Sequence, residues 1–198
     1  DELAGEPEGF TEMPPVDPAP TLAQDVPEAV RSAQLLRGVR LNELIKVNGP
    51  IKAAMQAWLT WMRPLLIDSY ENYQYMRHLM WPPYEEAKFP EAVLFGMLAK
   101  ESGGKVHAVS LAGAAGPYQF MKHTGLRFGL RSEQGFDFRY DPALAARANA
   151  AYLNEQLRLL NNNLEFTLAA YNGGEGRMRT LARETRHRSF WTPQIMSR

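Results

Sequence analysis

Residues 92–104 are AVLFGMLAKESGG, an apolar helical run that ends on an acidic side chain. Leu94, Met97 and Leu98 recur at helical spacing, and Glu101 continues the same face one turn later. A carboxylate packed against apolar side chains is desolvated, which raises its pKa and suits it to general acid catalysis near neutral pH. The alternative is a helix end that turns Glu101 into water, and this stretch alone favours that alternative.

Two further motifs follow at the ends of helices. In the run GAAGPYQF (113–120), Gly113 and Gly116 would let the backbone approach a sugar ring closely, which suits the wall of a cleft. A plain connector is the alternative, and it is favoured without context. The apolar helix LEFTLAAY ends at Tyr171, which by default is a core tyrosine whose hydroxyl finds a partner. One cleft can bring both motifs together, but the sequence does not prove it.

The fold class predicted from hydrophobic periodicity is all-α, because no segment shows sustained strand alternation. Pro82-Pro83 is expected to close one helix, and Asp141 to cap another that has a proline at its first position. Asn172-Gly173-Gly174 is expected to end the helix that contains Tyr171. The predicted helices cover residues 27–47, about 50–62, 65–81, 90–101, 142–160 and 164–171.

Four motifs in order resemble the catalytic domain of soluble and membrane-bound lytic murein transglycosylases. They are Glu101-Ser102, the serine nine residues after the glutamate, the Gly-rich loop ending in Gln119, and the Ala-Tyr-Asn turn at Tyr171. The resemblance covers about residues 78–181, and the run GAAGPYQFMKHTG looks most like the membrane-bound transglycosylase D group. It implies a lysozyme-like fold of the goose-type and soluble lytic transglycosylase kind, with additional N-terminal helices.

The resemblance also implies roles for individual residues. Glu101 would be the sole catalytic acid and base, and Ser110 would help to polarise the substrate. Gln119 would hydrogen-bond an N-acetyl group of the glycan. Tyr171 would sit beside the Glu101 carboxyl group, and Asn172 would shape its turn. Three more residues would line the groove: Tyr118, Phe120 and Met121.

The number of acidic groups near Glu101 bears on the mechanism of bond cleavage. Most glycoside hydrolases pair two carboxylates, whereas the motifs around Glu101 and Gln119 hold no second one. Asp141 is explained as a helix cap, and Glu165 and Glu175 lie near helix ends where exposure is expected. A single carboxylate favours intramolecular attack. In the resembling family the acid protonates the MurNAc-β-1,4-GlcNAc oxygen and then accepts the C6 hydroxyl proton, which gives a 1,6-anhydroMurNAc end without hydrolysis.

The chain departs from the family pattern at a few positions. Pro117 replaces the usual leucine of the loop, Lys122 replaces a frequent proline, and Gly173 replaces an alanine. None of these changes removes a proposed catalytic group. The sequence ends at FWTPQIMSR, where the D group usually continues into another helix, so one wall of the cleft is expected to be missing or differently built.

Composition excludes several classes of function. Lys plus Arg and Asp plus Glu are each 22, so no global charge suggests a nucleic acid partner. The chain has no cysteine, which excludes disulfides and a lipid anchor on a cysteine of this chain. Its four histidines lack paired spacing, so we expect neither a metal nor another cofactor. No apolar run approaches the roughly 20 residues that cross a bilayer.

Three segments are predicted. Residues 1–27 hold six prolines, seven acidic residues and no Lys or Arg, and are expected to form a disordered leader. Residues 28–83 are expected to form N-terminal helices that pack on a lysozyme-like catalytic domain over 84–198. The expected partner is the glycan strand of peptidoglycan in the bacterial periplasm or envelope, with an envelope protein on residues 1–80 as a further option.

Two other functions stay open at this point. A goose-type muramidase would hydrolyse the same bond with a positioned water. A non-catalytic peptidoglycan-binding scaffold would keep the fold without turnover, although the retention of Glu101, Ser110, Gln119 and Tyr171 together argues against it.

Overall fold

The computed structural model of the chain describes residues 48–185, 190–192 and 195. The leader predicted over 1–27 and the helix predicted over 27–47 lie outside these residues. The described elements are α1 Gly49–Leu59, α2 Arg63–Glu86, α3 Glu91–Glu101, α4 Lys122–Arg127, β1 Ser132–Glu133, β2 Phe136–Asp137, a 3-10 turn at Phe138–Tyr140, α5 Pro142–Leu159, α6 Leu164–Gly173 and α7 Glu175–Thr185.

Polar side chains begin several of these helices. Asn48 accepts a hydrogen bond from the Ile51 amide at 2.9 Å at the start of α1. Asp141 accepts one from the Leu144 amide at 2.8 Å, and Pro142 occupies the first position of α5. Each cap satisfies an amide that has no partner within the helix. The predicted cap at Asp141 is therefore confirmed.

The two prolines predicted to close the third helix do not end it. Pro82 and Pro83 lie inside α2, which continues to Glu86. A proline inside a helix leaves the carbonyl four residues earlier without its amide partner. Here those carbonyls belong to His78 and Leu79, two exposed residues. Burial of the side chains around the prolines holds the helix together in spite of the lost bonds.

The body is mostly helical, so the all-α prediction is confirmed. One small addition is a hairpin in which β1 pairs antiparallel with β2, with Ser132 opposite Asp137. The strands are two residues long, and the positive φ angles of Gln134 and Gly135 form the turn between them. Such short strands carry too little alternation to be recognised in the sequence.

The main core lies between α2, α3 and α5. Tyr84, Leu94, Leu98 and Leu153 are fully buried in it. A second apolar cluster joins α6 to α7 through residues that include Phe166 and Met178. The predicted segment boundary between residues 83 and 84 falls inside α2, and the three-segment division stays a prediction. Within the described ranges, no helix is both long and apolar enough to cross a membrane.

Candidate active site

Glu101 is the last residue of α3. The stripe that leads to it is buried, with Leu94 and Leu98 at 0% and Met97 at 7% exposure. Glu101 itself is partly buried, and its carboxylate has no hydrogen bond among the described residues. Burial raises the pKa of Glu101, and the positive charge of Lys100 offsets part of that rise. The side chain therefore retains its proton to higher pH than an exposed glutamate does.

The chain that follows Glu101 is attached to the Gly-rich loop. The Ser102 hydroxyl donates to the Pro117 carbonyl oxygen at 2.8 Å and accepts from the Gly104 amide at 3.1 Å. Gly104 has a φ of +77°, and a Cβ there would lie 2.6 Å from the Cβ of Asn72 on α2. The end of α3 is thus held between α2 and the loop, which fixes the place of the carboxylate.

Ser110 lies in a tight turn at the start of the loop. Its amide donates to the Ala114 carbonyl at 2.9 Å, and its hydroxyl oxygen accepts from the Ala114 amide at 3.0 Å. The hydroxyl proton makes no hydrogen bond among the described residues. Ser110 is partly exposed and can donate that proton to a bound molecule.

Gln119 has a fixed side-chain orientation. Its backbone φ is +51°, and its Nε2 donates to the carbonyl oxygens of Ala108 at 3.0 Å and Gly116 at 2.9 Å. Both amide hydrogens are used in these bonds, which assigns the nitrogen and leaves Oε1 as a free acceptor. An acceptor held in this way suits an N–H donor, such as that of an N-acetyl group.

Gln119 borders a cavity of about 330 Å³ between the loop and α6. The predicted residues Met121, Tyr171 and Asn172 line the same cavity. Ser110 and Glu101 are not among its lining residues. Several lining residues were not predicted from the sequence: His123, Thr124, Arg127, Tyr152, Ala170, Gly174 and Glu175.

Tyr171 connects α6 to the loop and to the carboxylate. Its hydroxyl donates to the Tyr118 carbonyl oxygen at 2.5 Å. Its pKa is raised, first by burial and then by the negative charge of Glu101, so Tyr171 lies within electrostatic reach of that carboxylate. The tyrosine therefore stays a neutral hydroxyl, and it contributes no charge of its own.

The prediction that Tyr118 lines the groove is wrong for its side chain. Tyr118 is 0% exposed, and its ring stacks on Tyr84 in the main core with centroids 6.3 Å apart. Phe120 is also buried, at 2% exposure, but it lines the cavity and contacts Tyr171 edge to face. Met121 is 37% exposed and lines the cavity as expected.

The interpretation of Gly116 is also wrong. Gly116 has a φ of +82°, and a Cβ at this position would lie 1.8 Å from the backbone oxygen of Arg139. The glycine therefore makes room for another part of this chain and not for a sugar. Gly113 has a φ of +85° and open space around it, so a ligand can still approach the backbone there.

The carboxylate of Glu175 is not exposed in the way predicted. Its side chain is 26% exposed and accepts from both terminal nitrogens of Arg127, at 2.8 and 2.7 Å. Gln156 donates to it at 2.9 Å. The bond from Arg127 is the main cause that lowers the pKa of Glu175. Glu175 is thus a charged, paired group, and it is unsuited to donate a proton.

Arg139 is a site residue that sequence analysis missed. It is 9% exposed, and its Nη1 donates to the carbonyl oxygens of Gly113 and Phe120, each at 2.9 Å. Asp137 accepts from its Nη2 at 2.8 Å and balances its charge. An aspartate two residues before an arginine, next to a cap and a proline, was the available signal, but it is a common pattern and carries little weight alone.

Similarity to known proteins covers the segment in which these residues lie. The family described as "Transglycosylase SLT domain" matches residues 84–193, more than half of the chain. "Membrane-bound lytic murein transglycosylase D" of Escherichia coli strain K12 is 31% identical over 96 residues, which are 46% of this chain and 21% of that protein. The protein of the same description from Escherichia coli O6:H1, strain CFT073, gives the same values. The chain thus spans about a fifth of the length of these relatives.

Proposed function

Because the chain belongs to the transglycosylase SLT domain family, we propose that it cleaves peptidoglycan glycan strands as a lytic transglycosylase. The observation that carries the proposal is the environment of Glu101. It is a partly buried carboxylate with a raised pKa, at a helix end within electrostatic reach of Tyr171. The similarity to two proteins described as lytic murein transglycosylases supports the choice of substrate.

The proposed reaction uses Glu101 twice. Its raised pKa lets the carboxyl group keep its proton to higher pH than an exposed glutamate does, and that proton goes to the glycosidic oxygen as the MurNAc-β-1,4-GlcNAc bond breaks. The resulting carboxylate then accepts the proton of the C6 hydroxyl group while O6 bonds to C1. The product is a 1,6-anhydroMurNAc end, and no water is consumed. The internal hydroxyl is already held near C1, so it needs no separate base.

Glu175, the carboxylate that lines the cavity, does not fit a second catalytic role. Glu175 is held by Arg127, and its pKa is lowered, so it is a weak base and a poor acid. A hydrolase of the two-carboxylate type would need a base that faces an open position for water. This contrast between Glu101 and Glu175 supports the one-carboxylate mechanism.

The Gly-rich loop is proposed to bind the sugar. Gln119 would accept the N-acetyl N–H at its free Oε1, and Ser110 would donate its hydroxyl proton near the reacting centre. Met121 and Asn172 would contact the glycan from the cavity wall. The proposed place of action is the bacterial cell envelope, and an envelope protein partner through residues 1–80 remains a proposal of its own.

The test is digestion of purified sacculi with this chain and with Glu101→Gln, followed by mass spectrometry of the released muropeptides. We expect anhydro ends, which are one water lighter than reducing ends. The variant should lose about 10²- to 10⁴-fold in rate, as is typical when a general acid is removed. Glu86→Gln, an exposed change near the end of α2, is the matched control and should keep full activity.

Each other outcome assigns a different function. Reducing ends, lost in Glu101→Gln, would identify a hydrolytic muramidase of the goose type. Binding of sacculi without release would identify a scaffold. Full activity of the Glu101→Gln variant would overturn the assignment of the acid, whichever product is formed.

A further inference from the structure

We propose that Arg139 is a positioning residue that fixes the distance between the two arms of the Gly-rich loop and thereby sets affinity for the glycan. The first arm runs from Ser110 to Gly113, and the second arm comprises Gln119 and Phe120. The proposal rests on the proposed function, because it takes these two side chains as glycan-binding groups. Arg139 would act through them and not touch the sugar.

The contacts of one guanidinium nitrogen carry the argument. Nη1 of Arg139 donates to the Gly113 carbonyl, three residues after Ser110, and to the Phe120 carbonyl, one residue after Gln119. Both bonds are 2.9 Å long. A single atom therefore holds both arms, and movement of either arm away from Arg139 lengthens one of these two bonds.

Asp137 fixes the guanidinium group itself. Its two carboxylate oxygens accept from Nε at 3.2 and 3.1 Å and from Nη2 at 2.8 Å, and its Oδ1 also caps the Arg139 amide at 3.0 Å. The planar fork of arginine is held on its Nε and Nη2 edge, which aims Nη1 at the loop. The hairpin that ends at Asp137 thus serves as the support of the loop.

The backbone of Arg139 adds a second contact with the same loop. Its carbonyl oxygen occupies the space that a Cβ of residue 116 would need, at 1.8 Å. The turn between the two arms therefore rests directly on the backbone of Arg139, while its side chain holds the arms. The side chain of Arg139 thus holds both ends of the 113–120 segment, and its backbone contacts the middle of it.

Arg139 is separated in its effects from the catalytic acid. The causes that shift the pKa of Glu101 are burial and the charge of Lys100, and Arg139 is not one of them. A change at Arg139 should therefore alter glycan binding without changing the pKa of Glu101 or its action as the acid. This separation gives the proposal a signature that simple loss of folding does not have.

The experiment measures kcat and KM on soluble, uncross-linked glycan strands for Arg139→Lys. Lysine keeps the charge, but as a point donor it cannot hold Asp137 and both carbonyls in one plane. We expect KM to rise roughly tenfold, as for the loss of one charge-assisted hydrogen bond, with kcat and its pH profile within about twofold of wild type. The matched control is Arg131→Lys in the exposed pair with Glu133, for which KM should not change.

A second variant distinguishes an effect on glycan binding from a loss of folded protein. Asp137→Asn leaves Arg139 in place but weakens the contact that aims it, so we expect a smaller rise in KM, roughly threefold. Urea unfolding of both variants gives the folded fraction. An unchanged KM together with a kcat that falls in proportion to the folded fraction would show a purely structural residue and overturn the proposal.

Binding separates this inference from the proposed function. The dissociation constant for the same glycan strands is measured by calorimetry for Glu101→Gln and for Glu101→Gln with Arg139→Lys. A roughly tenfold weaker binding in the double variant supports the inference even if the wild-type chain cleaves nothing. Equal binding overturns it while activity of the wild type stands, and no binding by either protein overturns both.

Discussion

The Tyr171 hydroxyl group donates a hydrogen bond to the Tyr118 carbonyl oxygen, 53 positions earlier in the chain, at 2.5 Å. This bond joins α6 to the Gly-rich loop just before Gln119. The same ring contacts Phe120 edge to face, with centroids 6.0 Å apart. Two of the four sequence motifs therefore meet through one side chain, and the meeting point lies within electrostatic reach of Glu101.

Removal of that hydroxyl should loosen the junction. In Tyr171→Phe the mostly buried Tyr118 carbonyl loses its donor, so the free energy of unfolding should fall by about 1 to 2 kcal/mol. Glycan cleavage should fall as well, because the loop is less well held. Urea unfolding and muropeptide release measure the two effects. Tyr75→Phe, at a side chain 82% exposed, should change neither, and equal losses in both variants would contradict the role of Tyr171.

The pH dependence of kcat should follow Glu101. Protonated Glu101 is the acid, so kcat falls as pH rises through its pKa, which burial places above the ordinary glutamate value. Lys100 lowers that pKa in part, so Lys100→Gln should move the fall in kcat to higher pH. Lys52→Gln on α1 is the matched loss of charge and should leave the profile unchanged. A shift to lower pH in Lys100→Gln would contradict the assignment.

The same carboxylate should cost stability at neutral pH. Its pKa is higher in the folded than in the unfolded chain, so its favourable contribution is present below the unfolded value and is lost as pH rises through the folded value. Glu101→Gln, which cannot ionise, should therefore unfold at higher urea concentration than wild type near pH 7. Near pH 3 the difference should disappear. A variant that is less stable at neutral pH would show that the charged form is stabilised by its surroundings.

Two glycines of the loop should respond differently to alanine. Gly116→Ala places a Cβ against the Arg139 backbone oxygen at a positive φ, and we expect a loss of about 3 kcal/mol or more in the free energy of unfolding. Gly113→Ala meets open space, so only the positive φ counts, at about 1 to 2 kcal/mol. Urea unfolding of the two variants compares them. Equal losses would mean that the contact with Arg139 does not constrain the loop.

Local patterns were sufficient to predict much of the fold. Leu94, Met97 and Leu98 form one helical face in the sequence, and all three are buried. Asp141 caps α5 because its side chain reaches an amide three residues away, which is a contact that sequence spacing fixes. The partial burial of Glu101 follows from the same periodicity. Features set within one or two helical turns were therefore predictable.

Contacts between distant segments were not predictable in this way. Nothing near Tyr118 in the sequence indicates that its ring packs on Tyr84, 34 positions earlier, which is why it was placed in the groove. Arg139 reaches Gly113 across 26 positions. The two prolines of α2 remain helical because packing of Met80 and Tyr84 outweighs a local preference. Each of these outcomes depends on tertiary burial, which a single sequence does not reveal.

The internal hydrogen bonds of the Gly-rich loop have a consequence for the thermodynamics of binding. The backbone of the loop is hydrogen-bonded by the side chains of Ser110, Gln119 and Arg139. The conformational entropy of the loop is therefore lost during folding. A glycan would then meet a surface that is already ordered, and binding would require little further loss of chain entropy. Calorimetry should accordingly give a smaller entropic penalty for the wild type than for any variant in which the loop must become ordered on contact.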